Sequence, residues 1–204
     1  LAIPAALSGT NFNLTVADSS HNFFGAFNTP TYGVNGSYLG PTMIVNKNDS
    51  VTIAVNNNLA QTTTMHWHGM HVPSEMDGGP HTVIPAAATW NVGFKIRNEA
   101  STCWYHPHLH MNTGTQVYMG VAGMIIVKDT VEAQLNLPRT YGVDDIPVVL
   151  QDRTFNTNGD FIIDGLADSM VVNGTMHPYL DAPAQVVRLR VLNGSNVRSY
   201  NLGF

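Results

Sequence analysis

Cysteine is almost absent: Cys103 stands alone in 204 residues. That excludes an intrachain disulfide and any thiolate-rich zinc or iron–sulfur site, and it leaves the redox compartment undetermined. Charge is scarce too. Charged residues make up 11%, and the nine Lys and Arg lie scattered against a formal net charge of -5. No basic stripe exists for a nucleic-acid backbone, so no nucleic-acid partner is expected. No apolar run approaches the roughly 20 residues that cross a bilayer, so no membrane span is expected either. The opening Leu1-Ala2-Ile3-Pro4-Ala5-Ala6-Leu7 lacks a basic n-region. It is expected to be the mature end left after a signal peptide is removed, and not an intact signal.

What is present favours strands. Apolar residues reach 44%, and Gly, Asn and Thr are abundant, which suits strands joined by turns better than helices. Strand-like segments run over Pro41 to Asn46, Val51 to Val55, Trp90 to Ile96, Cys103 to His108 and Val121 to Val127. Turn chemistry separates them in Asn35-Gly36, Asn46 to Ser50, Asp77-Gly78-Gly79-Pro80 and Asn112 to Gly114, the rhythm of an antiparallel sandwich. The composition predicts an all-β protein with a β-sandwich over residues 1–128. Residues 129–146 are charged and Pro-bounded and read as an interdomain connection, with a short helix possible over Val131 to Leu137. A second set of strand signals occupies 147–204: Val148 to Phe155, Ser169 to Val172, Gln185 to Leu192 and Val197 to Leu202. It stops at Phe204, and so few strands seldom close a sandwich, so an unfinished second domain is expected.

The nine histidines are unevenly placed. His66-Trp67-His68-Gly69 and His106-Pro107-His108 are both His-x-His. Side chains at i and i+2 of a strand share a face, roughly 6.6 Å apart along the backbone, so each motif leans two imidazoles into one space. Neutral imidazole suits copper, zinc and iron. The lack of nearby cysteines or paired carboxylates argues against a zinc finger or a facial-triad iron site. Two such strands point to a metal cluster or half of one; a single His-x-His, its rings merely hydrogen-bonded at a strand end, is the plainer alternative.

The first motif is followed by Val72-Pro73-Ser74-Glu75-Met76-Asp77-Gly78-Gly79-Pro80, and the second opens as Thr102-Cys103-Trp104-Tyr105. Together they resemble the first two copper motifs of the multicopper oxidases. The likeness continues through Gly120-Val121-Ala122-Gly123-Met124-Ile125-Ile126-Val127 and Val148-Val149-Leu150-Gln151-Asp152-Arg153, and is nearest to the bacterial copper-resistance cuprous oxidases. The resemblance implies a cupredoxin-like Greek-key β-sandwich over 1–128, followed by the first part of a second cupredoxin-like domain. It further implies that His66 binds a type 2 copper while His68, His106 and His108 bind a type 3 pair, with Trp67 facing away to pack. Asp77 falls where such oxidases place an acid that orients water and supplies protons. From spacing alone it is nearly as well read as a turn-forming residue before Gly78-Gly79.

The same resemblance implies one-electron oxidation of cuprous ion or a small phenolic reductant, coupled to reduction of O2 to water, in a periplasmic or otherwise extracytoplasmic setting. The His-Cys-His motif of the type 1 copper is absent, so that site is not in this chain. A second chain or fragment carrying the C-terminal cupredoxin domain is the expected partner, and the chain alone is expected to be inactive. A stand-alone copper-binding or storage module is the alternative; a relic sandwich without copper and a two-domain laccase rank lower. His110 continues the i+2 spacing but exceeds the two ligands of the motif, and is expected to be exposed or to support the ligands. His21, His71, His81 and His177 read as surface or satisfied core residues. Cys103 reads as a small buried hydrophobe, and the nine dispersed methionines mostly as core filler.

Overall fold

Alternation of apolar and polar residues builds two packed sheets from the first 128 residues. The computed structural model describes residues 1–25, 27–163 and 165–203; Phe204, where the second set of strand signals stops, lies outside them. In chain order the strands are β1 (Ala6–Ser8), β2 (Asn11–His21), β3 (Thr29–Val34), β4 (Thr42–Asn46) and β5 (Ser50–Asn58). Then come β6 (His66–His68), β7 (Thr89–Lys95), β8 (Ser101–His106), a helix α1 (Thr113–Met119) and β9 (Gly123–Lys128). One sheet has the order β1-β4-β9-β8-β6 and the other β3-β2-β5-β7. Phe12, Leu14 and Val16 of β2, Val51, Ile53 and Val55 of β5, and Trp67, Cys103 and Tyr105 meet in one core between them.

The sandwich is mixed, not antiparallel throughout. β1 pairs β4, β4 pairs β9 and β2 pairs β5 in parallel. Turn signals report only hairpins, whereas these pairs join strands distant in sequence, and period-2 alternation is the same for either direction.

A third sheet follows, with β10 (Asp145–Phe155) at its centre, flanked by β11 (Phe161–Ile162), β12 (Ser169–Val172), β13 (Thr175–Met176) and β14 (Arg188–Asn193). β14 runs parallel to β10 and β12 antiparallel. One face packs on the first sandwich, where Val149 and Leu192 join Leu39, Ala122, Met124 and Ile126. On the other face the paired residues Val148 with Val191 and Leu150 with Val172 leave apolar surface open. Met170, Leu189 and Val191 there are each about 40% exposed, the condition of a sheet lacking its second layer.

Two expected elements differ. Residues 197–202 are not a strand: Asn193 donates to the Arg198 carbonyl at 2.8 Å and its Oδ1 accepts from the Ser195 amide at 3.0 Å, so a local turn leads into the segment and takes one of the carbonyls a ladder would use. The helical expectation at 131–137 shrinks to a 3-10 turn at Glu132–Gln134, whose carbonyl at Glu132 is capped, with that of Leu135, by the Arg139 guanidinium.

Two ionic devices join the parts. Asp145 receives two hydrogen bonds from Arg190, Nε to Oδ1 at 2.7 Å and NH2 to Oδ2 at 2.8 Å, while Arg190 also donates to Thr102 of β8. Arg153 is 1% exposed. Its guanidinium lies 4.3 Å from the Tyr118 ring centre and 5.7 Å from those of Tyr38 and Phe161. It donates to the carbonyls of Asp152 and Val117, a cation held by rings and backbone.

Asp152 sits at the same junction, accepting from Arg198 at 2.8 Å and from the Ala167 amide at 3.1 Å. Burial pushes its carboxyl up, but hydrogen bonds from Ser195 and Arg198 outweigh this and hold it below the usual carboxylate range. A depressed folded pKa contributes stability that is complete above the unfolded value of about 3.9 and is lost as pH falls through the folded value. Urea midpoints at pH 6 and pH 2.5 are therefore expected to converge more in Asp152→Asn than in the parent; an equal acid loss in both would refute the linkage.

Candidate metal centre

The two His-x-His motifs lie on neighbouring strands. β6 pairs β8 antiparallel with His66 opposite His106, Trp67 opposite Tyr105 and His68 opposite Trp104. Directly opposed residues share a face. The sandwich core takes Trp67 and Tyr105, both fully buried, so the intervening positions must project the other way. His66, His68, Trp104 and His106 therefore stand together outside the core.

The motif after His66 supplies a floor. A 3-10 turn at Ser74–Met76 ends on Asp77, and Gly78 takes φ +71. A Cβ at Gly78 would lie 1.7 Å from the Met65 carbonyl oxygen, so only glycine allows this close approach to the backbone beside His66. The Trp67 indole donates to the Met76 carbonyl at 3.0 Å.

Hydrogen bonding fixes the tautomers of two rings. A carbonyl can only accept, so His66 Nδ1–H donates to the Asp77 carbonyl at 2.9 Å and His106 Nδ1–H donates to the Pro107 carbonyl at 2.7 Å. Both Nε2 atoms carry a lone pair, the usual arrangement of a metal-binding histidine, and that of His106 accepts from His68 Nδ1. The His106 Nε2 faces His68 Nδ1 at 3.2 Å. Two nitrogens bound about 2.0 Å from one ion at tetrahedral or square angles are about 2.8–3.3 Å apart, so this pair fits a single transition-metal ion.

Ligand nitrogens of His66, His68 and His106 all lie within 4.8 Å of one another. His108 completes the group, its ring centre 5.3 Å from that of His66 and 6.2 Å from that of His106. His66 and His106 are at least half-buried, and His68 and His108 are exposed, so the group is open on one side. Trp104 stacks on His106 with ring centres 3.9 Å apart.

The electrostatics favour neutral rings. Burial lowers the His106 pKa to about 4, against the raising effect of its Pro107 hydrogen bond, and neighbouring imidazoles add to the fall. His68 is lowered by burial, then by His66 and His108, with Asp77 acting the other way. At neutral pH these lone pairs are available to a metal instead of a proton.

Asp77 lies at the turn beside His66. It caps the turn, with its amide donating to the Ser74 carbonyl, and its carboxylate Oδ1 lies 3.3 Å from His66 Nδ1.

The remaining histidines stay apart. His110 is exposed and is not on the ligand strand, because β8 ends at His106 and Pro107 has no N–H for a ladder. His71, His81 and His177 are exposed. His21 is half-buried and bonded at both nitrogens, to Ser37 Oγ and the Gly174 carbonyl. Cys103 is 8% exposed within the core, and burial pushes its thiol up. Thr64, Asn112 and Gln116 around the site, and α1 itself, carry no sequence signal that distinguishes them from turn and core residues.

Sandwich and converging imidazoles together define a cupredoxin-like protein built to hold metal. The family model described as "Multicopper oxidase" matches residues 15–132, more than half of the chain, and the chain belongs to that family as an N-terminal portion. A multicopper oxidase of Staphylococcus epidermidis is 38% identical over 198 residues, covering 94% of this chain and 44% of that protein. The cell division protein FtsP of Salmonella typhimurium is 37% identical over 211 residues, covering 99% and 45%. Among solved structures, the laccase-like multi-copper oxidase CueO of Ochrobactrum sp. superposes with a TM-score of 0.93 at 41% identity, covering 97% of this chain and 47% of that one. The chain thus spans less than half the length of each of these three relatives.

Proposed function

We propose that this chain supplies half of the histidine cage of an oxygen-reducing copper cluster. The observation that carries the reading is the convergence of four imidazoles, with His106 Nε2 and His68 Nδ1 3.2 Å apart. His66 holds the type 2 copper, and His68, His106 and His108 the type 3 pair. When bound, copper supplies the one-electron redox chemistry by which O2 becomes water. The chain's own part is to bind and orient. The Asp77 and Pro107 carbonyls lock two rings with Nε2 outward, and Trp104 covers one face of His106 against solvent. Asp77, whose side chain is 36% exposed, places its carboxylate 3.3 Å from His66 Nδ1, where it orients water and relays protons.

Residues 1–128 form the first domain, 129–146 the connection and 147 onward the start of the second. The remaining ligands and the type 1 site come from a C-terminal cupredoxin portion, in the same polypeptide or a second chain, and these 204 residues alone do not turn over. The reductant is cuprous ion or a small phenol. The similarity to a CueO with oxidase activity towards lignin model compounds supports the phenol, and the setting is extracytoplasmic. The alternative, a copper-binding or storage module, draws on the exposure of His68 and His108, which leaves the metal a way in without a partner.

Copper analysis with oxygen-uptake assays on the protein carrying this chain separates the two. Copper with reductant-dependent uptake supports the oxidase, copper without uptake the module, and no copper sinks both. In the oxidase, Asp77→Asn is expected to slow turnover about tenfold or more with copper content unchanged. Metal loss in that variant would instead assign Asp77 a structural role.

A further inference from the structure

Three of the four imidazoles meet through the strand ladder alone. His66 and His106 oppose each other across β6 and β8, and His68 follows two residues on. His108 has no such support. It stands past the end of β8, after a proline, in a stretch without regular structure before α1. Its backbone is fixed by its own N–H, which donates to Thr64 Oγ1 at 2.5 Å. Thr64 is fully buried on the segment leading into β6.

The same segment is gripped from the far side of His108. Gln116 of α1 is also fully buried. Its Oε1 accepts from the Thr63 hydroxyl at 2.8 Å, and its Nε2 donates to the Thr62 carbonyl at 2.8 Å. At the start of the helix, Asn112 donates to Gln61 Oε1 at 3.1 Å. The helix end is held in turn, because Arg153 donates to the Val117 carbonyl and lies over the Tyr118 ring. Residues 108–116 are therefore pinned at both ends to residues 61–64. An apolar side chain at 116 would fill the same volume yet let the helix slide. A buried amide does not, since any shift strands polar groups at about 1–3 kcal/mol each.

We infer that Thr64 and Gln116 form a polar brace that sets His108 against the other three imidazoles, making both of them positioning residues for the copper site. The inference rests on the reading of His108 as a ligand, so the experiment tests that reading separately. It uses the copper-loaded protein carrying this chain and measures copper retained against a graded series of chelators, together with the EPR-visible fraction of cupric ion. Coupled cupric pairs are EPR-silent and uncoupled ions are visible. Thr64→Val, which keeps the shape and removes the acceptor, is expected to weaken retention of one copper about 10–100-fold and to raise the EPR-visible fraction. Thr64→Ser is expected to restore both. Gln116→Leu is expected to act like Thr64→Val, and the Thr64 pair decides the matter if that variant does not fold.

His108→Ala is the reference. If it retains copper as the parent does, the ligand reading fails and the brace falls with it. If it loses copper while Thr64→Val keeps the parent's retention and EPR signal, the brace alone is overturned. Lowered thermal stability with unchanged copper readouts would also overturn it.

Discussion

Oxygen uptake is lost in His106→Ala while any blue colour from a type 1 copper persists. His106 is the pivot of the group: its Nε2 faces His68 Nδ1 at 3.2 Å, its ring stacks on Trp104, and its Nδ1 is tied to the Pro107 carbonyl. Alanine removes the proposed ligand and leaves His68 Nδ1 without the nitrogen that lies 3.2 Å from it. The loss is expected to exceed the roughly 10–100-fold that substitution of partners behind a ligand costs. The colour is expected to survive because the only cysteine lies in the sandwich core and can furnish no thiolate to a blue site. Parallel measurement of uptake and visible absorption checks this, and uptake at the parent's rate would remove His106 from the cluster.

The largest effect on stability is expected at Asp145. Both partners of the Asp145–Arg190 pair are almost fully buried, at 3% and 4% side-chain exposure, and Arg188 Nε lies 4.0 Å from the same carboxylate. Asp145→Ala leaves buried cationic charge without its partner, at a cost of about 3–5 kcal/mol. Urea unfolding of the parent and variant measures it. Replacing the pair together, Asp145→Leu with Arg190→Met, is expected to recover most of the loss, because the charges would then be removed in concert. A double variant as unstable as the single one would show that the pair does more than neutralise itself.

Much of the site was legible because strand periodicity carries chemistry directly. His66 and His68 share a face by i, i+2 alternation, which also sends Trp67 inward, whereas His106 joins them through the register of β6 on β8, which alternation does not report. His108 obeys the spacing without obeying the strand, since Pro107 ends the ladder and a side-chain acceptor from Thr64 replaces it. The helix α1 was illegible for a different reason. Thr113-Gly114-Thr115 are poor helix formers, and the turn forms because Gln116 and Tyr118 find buried partners, a tertiary preference that overrides propensity. Only Gly120, at φ 121 after the helix, marks it locally. In the third sheet, β10 and β12 follow from apolar runs. The expected strand at 197–202 fails because Asn193 and Ser195 close local turns, while Arg198 reaches back to Asp152.

The ring-lined seat of Arg153 has a mechanical consequence. Its walls come from β10 itself, from Tyr38 after β3, from Tyr118 in the helix beyond His108, and from Phe161 in β11. A guanidinium can rest there only while all three rings are in place, so no wall can swing away without stranding a charge among hydrocarbon. The helix beside the imidazoles and the sheet that follows are therefore expected to unfold together, in one transition.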